Sequence, residues 1–366
     1  MVNKNLQDEN DGFLAARDQL DDAYRKMLAF KGKALRNKAT YINFNGLMAR
    51  AMGQRGMNNV VKLDNGYLAD LYGKEDVRMA AARMTQLCRA QERTGKYFLF
   101  VMTPRKVPKY EDILPAGYID YSNQNADDML EMLRSVNVPV LDLRDEIRRD
   151  GLSYADVFFK TDHHWRPEAG FWAFTKLVDY LSESGIAVPV DPLYTDIEHY
   201  DVKVYPDWFL GSLGKRTGIY YAGVDDISVI TPKFETNLSL EIPQKGISKS
   251  GSFAEVGYRS GMVAKNHFTS NPYALYGHSD SSGKAYRNEN APLDLKILTI
   301  RDSYACVATT FLPLVATQCD ELDMRYFGGG SFREYYEAFD PDVLIVFVNA
   351  GSGPACKNTT YDFFGD

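Results

Sequence analysis

The sequence predicts an α/β fold, a mainly parallel sheet covered by helices on both faces, with a β-rich stretch set into it. Three observations carry the expectation. Short, almost wholly apolar runs recur, as in KYFLFVMTP (96–104) and DVLIVFV (342–348), the signature of strands shielded on both sides. Helical periodicities separate these runs. Between about residues 187 and 292 both features give way to turn residues and alternating strand-like pieces.

Residues 12–38 read as a charged helix carrying Leu14, Leu20, Tyr24, Met27 and Phe30, and the division expected is an N-terminal helical segment over 1–40 and one α/β domain over 41–366. Asp64-Asn65-Gly66 lies between apolar runs, where Asn-Gly suits the positive φ angles of a hairpin turn. VRMAAARMTQLCRAQ (77–91) then reads as a helix, KYFLFVMTP as a buried strand, ADDMLEMLRSV (126–136) as a helix and VPVLDL (138–143) as a strand. A further helix starts near Pro167, a residue favoured at the first helical position. In the insertion, GIYYAG (218–223) and DISVITP (226–232) read as strands. The α/β pattern resumes with the strand LKILTI (295–300), a helix from Tyr304, the strand ELDMRYF (321–327), a short helix FREYYEAF (332–339) and the strand DVLIVFV. About five strands result. The insertion interrupts the sheet and is expected to arch over its carboxyl edge, where such folds place ligands.

Composition narrows the function. With 366 residues, 45% of them hydrophobic, the chain can bury a substantial core. Its 42 Lys+Arg stand against 49 Asp+Glu, a net charge of −7, and no basic stripe suggests a nucleic-acid partner. The 24 Tyr and 20 Phe suit a carbohydrate-facing surface or an aromatic core equally. Cys88, Cys306, Cys319 and Cys356 have no metal spacing; Cys88 and Cys306 fall in helical patterns and read as buried thiols. The amino terminus has no apolar signal core and no transmembrane run occurs, which fits a cytosolic chain or one separated from a leader or anchor.

Two motifs carry chemistry. In DVFFKTDHHWRPEAGFWAF (156–174), Asp162, His163 and His164 precede the Pro167 helix, a grouping open to three readings: metal site, acid/base pair or hydrogen-bonded corner. In ILTIRDSYACVATTFLPLVA (297–316), a strand turns through Arg301, Asp302 and Ser303 into a helix. Ser303 at a helix start has backbone amides for a developing oxyanion, although Asp302 or Ser303 could equally be an ordinary cap. A serine needs a base. In an extended segment Asp162 and His164 point the same way, so the carboxylate can orient the imidazole toward Ser303. His163 then points elsewhere, as a structural residue.

TDHHW, RDSYA and DMRYF, in this order and separated by a segment containing FLGSLGKRTG (209–218) and YALYGH (273–278), resemble the DHHW family of SGNH-hydrolase-like proteins, related to alginate O-acetyltransferases of the AlgX and AlgJ type. The resemblance extends from about YINFNGLMAR (41–50) onward. It implies an SGNH-hydrolase-like three-layer fold with permuted motif order, Ser303 as nucleophile, His164 as base and Asp162 as orienter. It further implies O-acetylation of an extracytoplasmic polysaccharide, with a membrane-bound O-acyltransferase as acetyl source and no cofactor; no Gly-rich loop for coenzyme A is visible. No motif separates an acetyltransferase from an acetylesterase, which differ only in whether a sugar hydroxyl or water accepts the acetyl group. Arg301 replaces the small residue usual before Asp-Ser and is expected to narrow the site or bind an anion. Asn349 in VFVNAG is an oxyanion-donor candidate, in place of an absent Gly-x-Asn-Asp block, or else a turn former. Arg325 is expected to end a strand and orient a glycan or Tyr326, or to form an ordinary ion pair. Ser212, Lys215 and Arg216 are weaker candidates.

Two rivals stand beside this reading. Asp-His-His is also a manganese phosphodiesterase signature, but such a site needs more carboxylates or histidines, and His199, His267 and His278 form no metal-spaced motif. The second rival is a carbohydrate-binding or scaffold protein that keeps the fold without the chemistry.

Overall fold

The computed structural model describes residues 38–278, 282–327, 330–351 and 361–364. The helix expected over 12–38 and Cys356 lie outside the described residues. The chain enters through the helix Lys38–Ala51 and a small antiparallel sheet of β1 (Gly56–Met57), β2 (Val60–Lys62) and β3 (Leu68–Ala69). Gly66, at φ 84°, makes the expected turn between β2 and β3.

The strands that follow are β4 (Tyr97–Thr103), β5 (Val140–Asp142), β6 (Tyr200–Phe209), β7 (Asp225–Pro232), β8 (Leu238–Ile242), β9 (Ile247–Gly251), β10 (Gly283–Arg287), β11 (Leu293–Ile300), β12 (Ala316–Leu322) and β13 (Val343–Asn349). Among the described residues the main sheet has eight strands in the order β5-β4-β13-β11-β12-β10-β8-β9. The first five are parallel, four of them matching strands read from the sequence and the fifth, β12, overlapping the expected one only at Glu321 and Leu322, while β10, β8 and β9 continue antiparallel. Part of the insertion therefore widens the sheet instead of arching over it; β6 and β7 form a separate hairpin.

The alternation of strand side chains makes three layers. Leu99, Val101, Ile297, Ile345 and Phe347 face the helices Pro167–Glu183 and Cys306–Phe311. Phe98, Phe100, Leu298, Val346 and Val348 face the helices Arg78–Arg93, Ser122–Ser135 and Phe332–Phe339. Pro167 occupies the first turn of its helix, as its fixed φ favours.

Two elements differ from expectation. GIYYAG contains a helical turn, Ile219–Ala222, because Gly218 (φ 87°) and Gly223 (φ 79°) reverse the chain at either end. The strand expected over 321–327 is instead β12, which starts at Ala316 and stops at Leu322. Asp323 ends it: its Oδ1 accepts from Arg325 N at 3.1 Å, a side-chain turn that competes with the ladder.

Candidate active site

The carboxyl ends of β4, β11, β12 and β13 converge on a cleft of about 340 Å³ lined by Arg105, His163, Ser212, Asp302, Ser303, Arg325 and Asn349, among others. Ser303 opens a 3-10 turn, Ser303–Ala305, that leads into the helix Cys306–Phe311. Asp302 caps this turn, accepting from Tyr304 N at 2.9 Å.

Asp162 and His164 arrive on the segment between β5 and the helix Pro167–Glu183, which packs on the same face of the sheet as the Ser303 turn. The segment between Phe159 and His164 is bent rather than extended, correcting the geometry expected of it. Their common direction comes from Asp162 itself: Oδ1 accepts from His164 N at 3.0 Å and from His164 Nδ1 at 2.6 Å. With Nδ1 donating to this carboxylate, Nε2 is left to accept, and it lies 3.1 Å from Ser303 Oγ. Burial works against the charge on Asp162, but His163, His164 and the Ser212 amide outweigh it and hold the carboxyl well below the usual carboxylate range. The His164 ring stacks on Tyr273, centroids 4.2 Å apart and planes at 19°, and Tyr273 OH donates to Tyr304 O at 3.2 Å. Tyr273 thus ties the His164 ring to the serine turn.

The Gly-rich loop closes over this segment. Ser212 N donates to Asp162 Oδ2 at 2.5 Å, Gly211 N to Thr161 Oγ1 at 2.8 Å, and Gly214 N to Thr161 O at 2.8 Å. Ser212, a weak candidate from sequence, therefore supports the carboxylate directly.

Several expectations change. His163 does not point away: it lines the cleft, its Nδ1 is 2.7 Å from Ser212 Oγ, and its ring lies 3.8 Å from that of His164. Arg301 neither narrows the cleft nor offers itself to an anion. It is buried behind Ser303, with Nε and Nη2 on Glu321 Oε2 at 3.0 and 2.9 Å, because a buried guanidinium requires a buried carboxylate. Lys284 shares the same Oε2 at 3.1 Å. Arg325 does reach the cleft, from a turn rather than a strand end, with its fork on Asp323 at 2.9 and 2.6 Å. Tyr326 is 52% exposed and lies under that guanidinium at 5.3 Å. Asn349 lines the cleft at the end of β13, donating from Nδ2 to Asp302 Oδ2. Lys215 turns away to donate to Ser270 O at 2.6 Å, and Arg216 pairs with Asp70 in the cleft wall.

Sequence reasoning missed Arg105, which lines the cleft with its guanidinium over the Tyr72 ring at 4.7 Å and Nη2 on Tyr72 OH at 2.8 Å. Its position just after β4, at the carboxyl edge, was the usable signal. Asp162, His163 and His164 bring their ligating atoms within 4.8 Å of one another, a grouping that could hold a metal. A metal there would have to displace the bonds of these side chains to one another, to Ser212 and to Ser303.

Residues 65–188 match the family model described as SGNH hydrolase-like domain, acetyltransferase AlgX, a segment that includes Asp162 and His164 but not Ser303. Among solved structures, Bacillus cereus PatB1 with a sulfonyl adduct is similar at a TM-score of 0.68 and 16% identity, covering 84% of this chain and 98% of that one. A DHHW family protein from Eubacterium siraeum is similar at 0.61 and 17% identity, covering 83% and 94%. No curated protein matches. The chain has an SGNH-hydrolase-like fold and shares its overall fold with these structures.

Proposed function

We propose that this SGNH-hydrolase-like chain transfers O-acetyl groups to, or removes them from, an extracytoplasmic polysaccharide through an acetyl-serine intermediate at Ser303. One observation carries the reading: Asp162 Oδ1, both nitrogens of His164 and Ser303 Oγ form an unbroken line of hydrogen bonds at 2.6 and 3.1 Å. In this mechanism Ser303 Oγ attacks the carbonyl of an acetyl ester while His164 Nε2 takes its proton and passes it to the departing oxygen. A sugar hydroxyl, or water, then gives a proton to His164 and attacks the acetyl-serine, and His164 returns that proton to Ser303 Oγ as the acetyl–oxygen bond breaks. Asp162 keeps the proton on Nδ1 and stabilises the imidazolium that forms in each half. Arg105, Arg325 and Asn349, in the cleft wall, are the donors at hand for the oxyanion and the glycan. A membrane-bound O-acyltransferase supplies acetyl groups in the transfer direction, and no cofactor is required.

The test is labelling of the purified chain with a fluorophosphonate, or with a sulfonyl reagent in view of the PatB1 adduct, followed by identification of the modified peptide. Acetyl release and acetyl transfer are then measured on a panel of polysaccharides. Labelling confined to Ser303 and turnover lost in Ser303→Ala are expected. A chain that is neither labelled nor active, yet binds the glycans, is a carbohydrate-binding scaffold.

A further inference from the structure

The bent segment from Phe159 to His164 lies in no helix or named strand, so its main-chain groups need partners from elsewhere. Gly214 N reaches Thr161 O and Leu68 N reaches Lys160 O, but two charged side chains supply most of the rest. Lys106, 2% exposed just after β4, donates from Nζ to three carbonyls of this one segment: Phe159 O, Lys160 O at 3.0 Å and Asp162 O at 2.9 Å. An ammonium has three N–H bonds, and all three are directed here. Asp225, the first residue of β7, accepts from Lys160 N and Thr161 N at 2.7 Å each and from Thr161 Oγ1 at 2.5 Å. A cation thus holds the carbonyls of the loop and an anion holds its amides. Neither residue lines the Ser303 cleft.

We propose that Lys106 and Asp225 are the positioning pair of the reaction, holding the Phe159–His164 segment in the shape that sets Asp162 Oδ1 against His164 Nδ1. The inference rests on the reading of Ser303, His164 and Asp162 as a triad. An apolar side chain could fill the volume of Lys106, but it could not donate to Phe159 O and Asp162 O, which the loop would turn toward other donors, while Lys160 O would keep Leu68 N. Asp162 O is one of those two, so such a turn moves the carboxylate that orients the base.

Lys106→Met keeps most of the volume and removes the donors. The readout is the far-downfield proton resonance of His164 Nδ1–H, assigned by its absence in His164→Ala, together with kcat and KM for an acetyl ester. The resonance is expected to disappear or move upfield, and kcat to fall about 100-fold with KM within about twofold, the scale of loss when a catalytic group is misplaced by about 1 Å. Asp225→Asn keeps its volume, loses two acceptor sites and is expected to give the same signature; it decides the matter if Lys106→Met does not fold. Folded variants with an unchanged resonance overturn the proposal, whatever happens to turnover. If the wild type turns over no acetyl ester, the functional reading fails while the resonance still decides the positioning role.

Discussion

Gly211 sits against Asp162 so closely that a Cβ on the glycine would stand 2.2 Å from Asp162 Cβ and 2.4 Å from its Cα. The contact exists because Ser212 N must reach Asp162 Oδ2. Gly211→Ala is therefore expected to push the Gly-rich loop off the carboxylate. Turnover should drop about 100-fold, as for other small displacements of catalytic groups, and the melting temperature should fall. A Gly211→Ala protein with normal turnover would show that the loop is not needed where it lies.

The three residues in the hydrogen-bonded line should behave as one unit. Ser303→Ala and His164→Ala are each expected to lower turnover by several orders of magnitude, and the double variant to lose little more. Asp162→Asn should cost on the order of 10⁴, the scale of the corresponding change in serine proteases. Steady-state kinetics on variants with normal circular dichroism check this; additive losses would mean independent roles.

Acid stability should depend on His163. Burial and the neighbouring His164 lower its pKa from 6.5 to about 3. Below about pH 6.5 the unfolded chain takes up a proton that the folded chain refuses until about pH 3, so this residue makes stability fall as pH falls across that window. His163→Gln, which can still bond Ser212, should flatten that part of the curve. Urea midpoints of both proteins between pH 7 and 4 give the comparison, and parallel curves would refute it.

Glu321 holds two buried cations through one oxygen, Lys284 and Arg301. Glu321→Gln removes the counter-charge on Lys284 and one of the two carboxylates near Arg301, whose Nη1 also lies 3.9 Å from Asp323 Oδ2, and is expected to cost on the order of 3 kcal/mol in chemical unfolding. Arg301→Met should likewise act on stability more than on KM. A large KM change in a stable Arg301→Met protein would return Arg301 to the substrate side.

On the proposed reading, Ser303 is activated by His164 and needs no ion. Hydrolysis of a nitrophenyl acetate is expected to persist after exhaustive chelation. Loss of activity with rescue by manganese would favour the phosphoesterase reading, with the Asp162, His163 and His164 grouping as its site.

What could be read from sequence follows from where the determining contacts lie. The runs around YFLFVMT and VLIVFV were legible as strands because both faces are buried, which leaves an unbroken apolar pattern. The end of β12 was not, since one carboxylate of Asp323 overrides the apolar run through a local turn. The Asp162 and His164 spacing pointed to the right pairing for a different reason than the one that operates, a carboxylate bonding both the amide and the ring two residues on. Arg301 was misread because its partner Glu321 lies on the neighbouring strand. Lys106 and Asp225 left no trace at all: their partners are backbone carbonyls and amides, which every residue carries.

The strand order has a consequence for how the molecule is made. β13, ending at Asn349, is inserted between β4 and β11, hydrogen-bonded to both. While the chain is being synthesised, β4 waits with an open edge for a partner about 246 residues away in register, Tyr97 with Val343. Until that strand emerges, the segment bearing Asp162 and the turn bearing Ser303 belong to two halves with no shared sheet. Such long-range closure is slow and exposes unpaired edges. Translation that stops between β12 and β13 would therefore release two incomplete, adhesive half-sheets, with the Asp162 segment and the Ser303 turn on separate ones.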